Sequence, residues 1–99
     1  MQTIEEIKEK VLPVLKAAGA RRAALFGSYA RGEATAESDI DMLIELPDGL
    51  SLFDFIGIQQ DLEGVLGKKV DLVEYRAIKP LLKKYILKSN RWEYFRAKK

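Results

Sequence analysis

With 99 residues, 47% of them hydrophobic and 32% charged, the chain has the composition of a globular protein with one small core, and a single domain over residues 1–99 is expected. It has no Cys and no His, which excludes thiol nucleophiles, disulfides, imidazole bases and zinc chemistry and leaves carboxylates, hydroxyls, Lys, Arg and backbone amides to do any work. The net charge of +2 hides an asymmetry: residues 77–99 carry eight Lys or Arg against Glu93 alone, a segment of +7, so the first 76 residues carry −5.

Thr3 followed by Glu6 has the spacing of a capping box, and Ile4, Ile7, Val11, Val14, Leu15 and Ala18 recur at helical intervals before Gly19, which predicts a first helix. Pro13 falls inside it and is expected to kink or break it. Arg22 to Phe26 reads as a short interior strand stopped by Gly27. Asp39 to Leu46 alternates, with Ile40, Met42, Ile44 and Leu46 on one face and Asp39, Asp41, Leu43 and Glu45 on the other, the pattern of a strand. After a turn at Pro47-Asp48-Gly49, Ser51 caps a helix running through Leu66 to Gly67. Val70 to Tyr75 reads as a third strand, and Pro80 opens a last helix carrying Leu81, Leu82, Tyr85 and Ile86. Trp92 to Phe95 either adds an edge strand or lies against the body. The order of elements implies an α+β fold, a small mixed β-sheet with helices packed on it.

Three places can carry chemistry. Gly27-Ser28-Tyr29-Ala30-Arg31-Gly32 starts where a buried strand ends, so a helical turn there would present free amides and the Ser28 hydroxyl to an anion, although an ordinary strand-to-helix turn explains the same residues. Asp39 and Asp41, two apart on a strand, share a face about 6–7 Å apart and can reach one cation or bridge two, or else form a solvated strand surface. Asp71 is a carboxylate in an apolar strand. It either faces solvent after Lys68-Lys69 or, if its strand lies beside that of Asp41 at about 4.8 Å, joins the pair.

Taken together, Gly27-Ser28, Arg31-Gly32, Ser38-Asp39-Ile40-Asp41 and a lone strand Asp71 about thirty residues on resemble the signature of the minimal nucleotidyltransferases of the polymerase-β-type superfamily. That resemblance implies the polymerase-β-type nucleotidyltransferase fold. It also implies two Mg²⁺ ions held by Asp39 and Asp41, with Asp71 binding one ion and taking the proton of an attacking hydroxyl. Gly27 and Ser28 would bind the β- and γ-phosphates of ATP. Arg31 would orient the triphosphate, though it equally suits a surface pair with Glu33 or Glu37. Such small members accompany helical HEPN-type proteins, RNase toxins, and act as antitoxins by transferring AMP to a Tyr hydroxyl. With so few residues, the acceptor would come from that partner or from a second copy of the chain.

Two other readings stand beside this one. In the first, the same fold is a non-catalytic binding module that neutralises a HEPN-type partner by stoichiometric contact, which the intact set of Asp residues argues against. In the second, an RNA-modifying transferase uses the basic tail. It ranks lowest, because Tyr85, Trp92, Tyr94 and Phe95 read equally well as packing residues, and no nucleic-acid partner is expected. Lys83, Lys84 and Lys88, with Arg91 and Arg96, are instead expected to help dock the acceptor protein. No apolar run approaches the roughly 20 residues that cross a bilayer and residues 1–10 are too polar for a signal peptide, so a cytoplasmic location without membrane contact is expected.

Overall fold

The computed structural model describes residues 3–78 and 92–95. They form α1 (Ile4–Ala18), β1 (Arg22–Phe26), α2 (Gly27–Arg31), β2 (Ile40–Glu45), α3 (Leu52–Leu66), β3 (Val70–Glu74), a 3-10 turn (Tyr75–Ala77) and β4 (Trp92–Phe95).

Both long helices are delimited by their own sequence. The Thr3 hydroxyl accepts from the Glu6 N–H at 3.1 Å while the Glu6 carboxylate accepts from the Thr3 N–H at 3.4 Å, and Ser51 and Asp54 do the same for α3 at 3.2 and 2.9 Å. Each pair satisfies amides that the first helical turn leaves without partners. Gly19 and Gly67 end the two helices with φ of 72° and 66°, the left-handed conformation that glycine adopts without a Cβ penalty. α1 runs unbroken through Pro13, so of the expected kink or break the break does not occur. Pro13 and Glu9 are both exposed, so the carbonyl that the proline leaves without a donor, that of Glu9, is on the water side of the helix and loses little.

The strands make one mixed sheet in the order β3-β2-β1-β4. β1 is antiparallel to β2 and to β4, and β2 is parallel to β3. The α+β reading with a mixed sheet holds, and residues 92–95 take the edge-strand alternative beside β1. Three boundaries differ from expectation. Asp39 precedes its strand, Tyr75 begins a 3-10 turn instead of ending β3, and residues 27–31 form a complete short helix. The helix expected over Leu81 to Ile86 lies outside the described residues, as do the basic side chains of residues 79–91.

One face of the sheet carries Ala23, Leu25, Ile40, Met42, Ile44, Val70 and Leu72, packed against Ile7, Val11 and Leu15 of α1 and Ile58, Leu62 and Leu66 of α3. The other carries a smaller cluster of Ala24, Leu43 and Tyr75, flanked by Phe26, Val73 and Ile78. This division fixes the orientation of β2. Ile40, Met42 and Ile44 are completely buried, and each side chain so buried stabilises by about 1.5–3 kcal/mol. A slip of one residue would surrender all three and drive Asp41 into the helix-covered core, so alternation holds Asp41 on the opposite face. No helix among the described residues is long and apolar enough to cross a membrane.

Candidate active site

The acidic residues emerge at one end of the sheet, where the carboxyl end of β1 meets the amino ends of β2 and β3. Asp41 pairs in register with Phe26 on one side and with Asp71 on the other. Because Leu43 and Val73 belong to the smaller cluster, Asp41 and Asp71 share its face. Asp39 stands two residues upstream, exposed, in the segment leading into β2. Two carboxylates are therefore brought together by strand pairing, and the third enters on the same chain segment.

Gly27 follows Phe26 directly and lies over Asp41. Its φ is 73°, and a Cβ there would meet the carboxylate, with the Asp41 Cγ at 3.0 Å and Cβ at 3.2 Å. Glycine is needed here twice, for the left-handed backbone and for this close approach. The turn then continues into α2, whose amino end has no side-chain cap, and the half-buried Ser28 is its second residue. Gly27 thus lies against Asp41, with Ser28 next along α2. Arg31 closes α2, but the contact expected of its side chain lies outside the described residues.

The segment before β2 is tied down from both sides. The Ser38 Oγ accepts from the Thr35 N–H at 2.9 Å, and the Ser38 N–H donates to the Thr35 carbonyl at 3.0 Å. The Lys68 Nζ donates to the Ala36 carbonyl at 2.6 Å, and the Ile40 N–H donates to the Lys69 carbonyl at 3.0 Å. From α3, the Gln59 Nε2 donates to the Val70 carbonyl and the Glu63 Oε2 accepts from the Val70 N–H, each at 3.0 Å. Lys68, Gln59 and Glu63 carried no mark in the sequence. Gln59 and Glu63 lie four apart on a helix, which reads as an ordinary polar face until the fold shows what they reach.

The donor set, three carboxylates with no nitrogen or sulfur, suits a hard ion such as Mg²⁺. Among the described residues no three acidic side chains are gathered into a formed metal cluster, an arrangement that their mutual repulsion opposes. The backbone placement fits the ion, since Asp41 and Asp71 are cross-strand partners on one face of the sheet, with Gly27 over Asp41. Clefts open elsewhere on the described residues. One, lined by Arg21, Glu45, Asp48, Glu74 and Arg76, is at the other end of the strands, where Arg22 bonds Glu45 at 3.1 Å and stacks 3.8 Å from the centre of the Tyr75 ring. With Asp39 and Asp71 both exposed, the acidic residues form a ledge at this end of the sheet.

Residues 1–92 match the family model of the nucleotidyltransferase domain. The chain belongs to that family. A Methanocaldococcus jannaschii relative, provisionally named a protein adenylyltransferase, is 51% identical over 84 residues, covering 85% of this chain and 90% of its own. A solved structure described, again provisionally, as a minimal nucleotidyltransferase superposes with a TM-score of 0.78 at 37% identity, covering 90% of this chain and 94% of the other. A second, a toxin–antitoxin complex with AMP-PNP, superposes with a TM-score of 0.72 at 27% identity, covering 86% and 72%. The nucleotidyltransferase is therefore an enzyme of the minimal type, and its fold is that of the polymerase-β-like group.

Proposed function

We propose that this nucleotidyltransferase transfers AMP from ATP to a hydroxyl of a HEPN-type partner protein, as the antitoxin of a toxin–antitoxin pair. The observation that carries the reading is the register pair Asp41 and Asp71 with Gly27 laid over Asp41, an acidic ledge beside a glycine turn. The adenylyltransferase name of one relative and the toxin–antitoxin complex with AMP-PNP support the donor and the kind of partner.

Asp39 and Asp41 would hold two Mg²⁺ ions, with Asp71 contributing to one. Bound there, such ions neutralise the charge of the triphosphate and make a hydroxyl beside them more acidic. Gly27 and Ser28 hold the β- and γ-phosphates through backbone and hydroxyl donors, so that these leave together as pyrophosphate. Asp71 accepts the proton of the acceptor hydroxyl as its oxygen attacks the α-phosphorus. Arg31 steadies the leaving phosphates. The partner supplies the acceptor and covers the ledge, in the cytoplasm where ATP is held.

The test is incubation with α-labelled ATP, Mg²⁺ and a HEPN-type protein encoded beside this chain. Label on that protein, lost in the Asp39→Asn/Asp41→Asn double variant, is the expected result. Undiminished labelling by the double variant would sink the carboxylate assignment. Neutralisation of the partner without any labelling would make the chain a binding module instead.

A further inference from the structure

We propose that Gln59 and Glu63 are positioning residues that set Asp71 through a two-point clamp on Val70. The proposal rests on the role given to Asp71 above. Among the described residues β3 is an edge strand in the order β3-β2-β1-β4, held by ladder bonds to β2 alone, and it is the strand that brings in the third carboxylate. The Ile40 N–H bonds the Lys69 carbonyl, so Lys69 and Asp71 turn their backbone groups toward β2 while Val70, between them, turns its own toward the open edge. Both of those groups are taken by α3. Glu63 accepts from the Val70 N–H and Gln59 donates to the Val70 carbonyl, each at 3.0 Å.

The two side chains are not interchangeable. One end of the clamp must accept and the other must donate, and Glu63 and Gln59 meet these demands in the order that the strand presents them. They lie one helical turn apart on α3, whose carboxyl end is fixed by Gly67 only three residues before Val70. The result is a strand entry held from both sides, one residue before Asp71. Without the clamp, the amino end of β3 is free to fray from its open edge, and a displacement near 1 Å of a group that takes a proton costs rate rather than ground-state affinity. Gln59 and Glu63 bond the strand and not a carboxylate of the ledge, so they act through β3, in which Asp71 is the nearest acidic residue.

The experiment compares Glu63→Ala, Glu63→Gln and Gln59→Leu with the parent and with Asp71→Asn in the labelling reaction with Mg²⁺, ATP and the HEPN-type protein, alongside amide exchange at Val70 and thermal melts. Glu63→Ala and Gln59→Leu should lower kcat about 10–100-fold, the usual range for residues that orient a functional carboxylate, with KM for ATP within about twofold. Glu63→Gln keeps an acceptor oxygen and should restore kcat to within about threefold of the parent. Val70 exchange should accelerate in Glu63→Ala and recover in Glu63→Gln. Parent-like kcat in Glu63→Ala and Gln59→Leu would overturn the positioning role, as would a loss of KM and kcat together that follows the melting temperature. If Asp71→Asn transfers at the parent rate, the role of Asp71 falls and the positioning role with it, while amide exchange still reports whether the clamp exists.

Discussion

Replacing Gly27 by Ala tests the geometry of the ledge more sharply than removing any carboxylate. Two costs follow from the structure. The first is the left-handed backbone, φ 73°, which costs an L-residue about 1–2 kcal/mol. The second is the overlap of the new methyl with Asp41, whose Cγ and Cβ would sit at 3.0 and 3.2 Å. These are not the free end of a long side chain, and forcing such an overlap costs about 1–3 kcal/mol. Gly67 provides the control. Its φ is 66° and a Cβ there would have nothing within 4 Å, so Gly67→Ala carries only the backbone cost. Gly27→Ala should therefore melt lower than Gly67→Ala by about 5–20 °C, at about 4–8 °C per kcal/mol for a chain of this size. It should also lose more than about a hundredfold in AMP transfer, because Asp41 can relieve the clash only by leaving its place. If Asp41 swings aside easily, the thermal gap narrows while the loss of transfer persists. Calorimetry and the labelling reaction, run on both variants, read the two effects separately. A Gly27→Ala protein that transfers at the parent rate and melts with Gly67→Ala would refute the close approach and the site built on it.

Asp39→Asn and Asp41→Asn should each abolish transfer with the fold intact, and Asp39→Asn, which removes one of the like charges at the ledge, should melt at or above the parent temperature. Calorimetry beside the labelling assay checks both halves. Asp71→Asn should lower kcat more than the affinity for Mg²⁺-ATP, measured by equilibrium binding, because a proton acceptor acts on the transition state. An equal loss of both would make Asp71 chiefly a ligand. Charge reversal at Lys83, Lys84 and Lys88 should slow association with the HEPN-type protein and flatten its salt dependence, followed by stopped flow, with ATP binding by the isolated chain unchanged.

Local signals in the sequence led to correct elements wherever the deciding interactions are local. Thr3 with Glu6, Ser51, and the glycines at 19 and 67 mark both long helices within a residue, and the alternation from Ile40 to Leu46 sorts the two faces of β2. Pro13 misled because the rule against interior proline concerns a lost bond, and whether that loss matters depends on which side of the helix faces water. The short helix at residues 27–31 was legible only as a conditional, since five residues carry too little periodicity to separate it from a turn. The pairing of Asp41 with Asp71 was also conditional. Thirty residues separate them, and only the crossover through α3 decides which strands become neighbours. The clamp at Val70 left no trace at all, because a Gln and a Glu on a helix look alike whether they meet water or a strand edge.

The join between α3 and β3 sets a parity that the enzyme cannot violate. After Gly67 the chain has only Lys68 and Lys69 before Val70 enters the sheet with its side chain in the core. One residue more or fewer there that the short link could not absorb would slip β3 by one position, turning Asp71 under the helices and presenting Val70 and Leu72 on the ledge. Length changes at this join would have to come in twos, and even a pair would have to be accommodated without lifting Val70 from the side chains that hold it. The link from β2 to α3 is longer, residues 46–51 against 67–69, and its residues 48–51 are exposed, so it absorbs a change of length more easily. Variation in loop length among chains of this design should therefore collect before α3 and stay out of the two lysines that follow it.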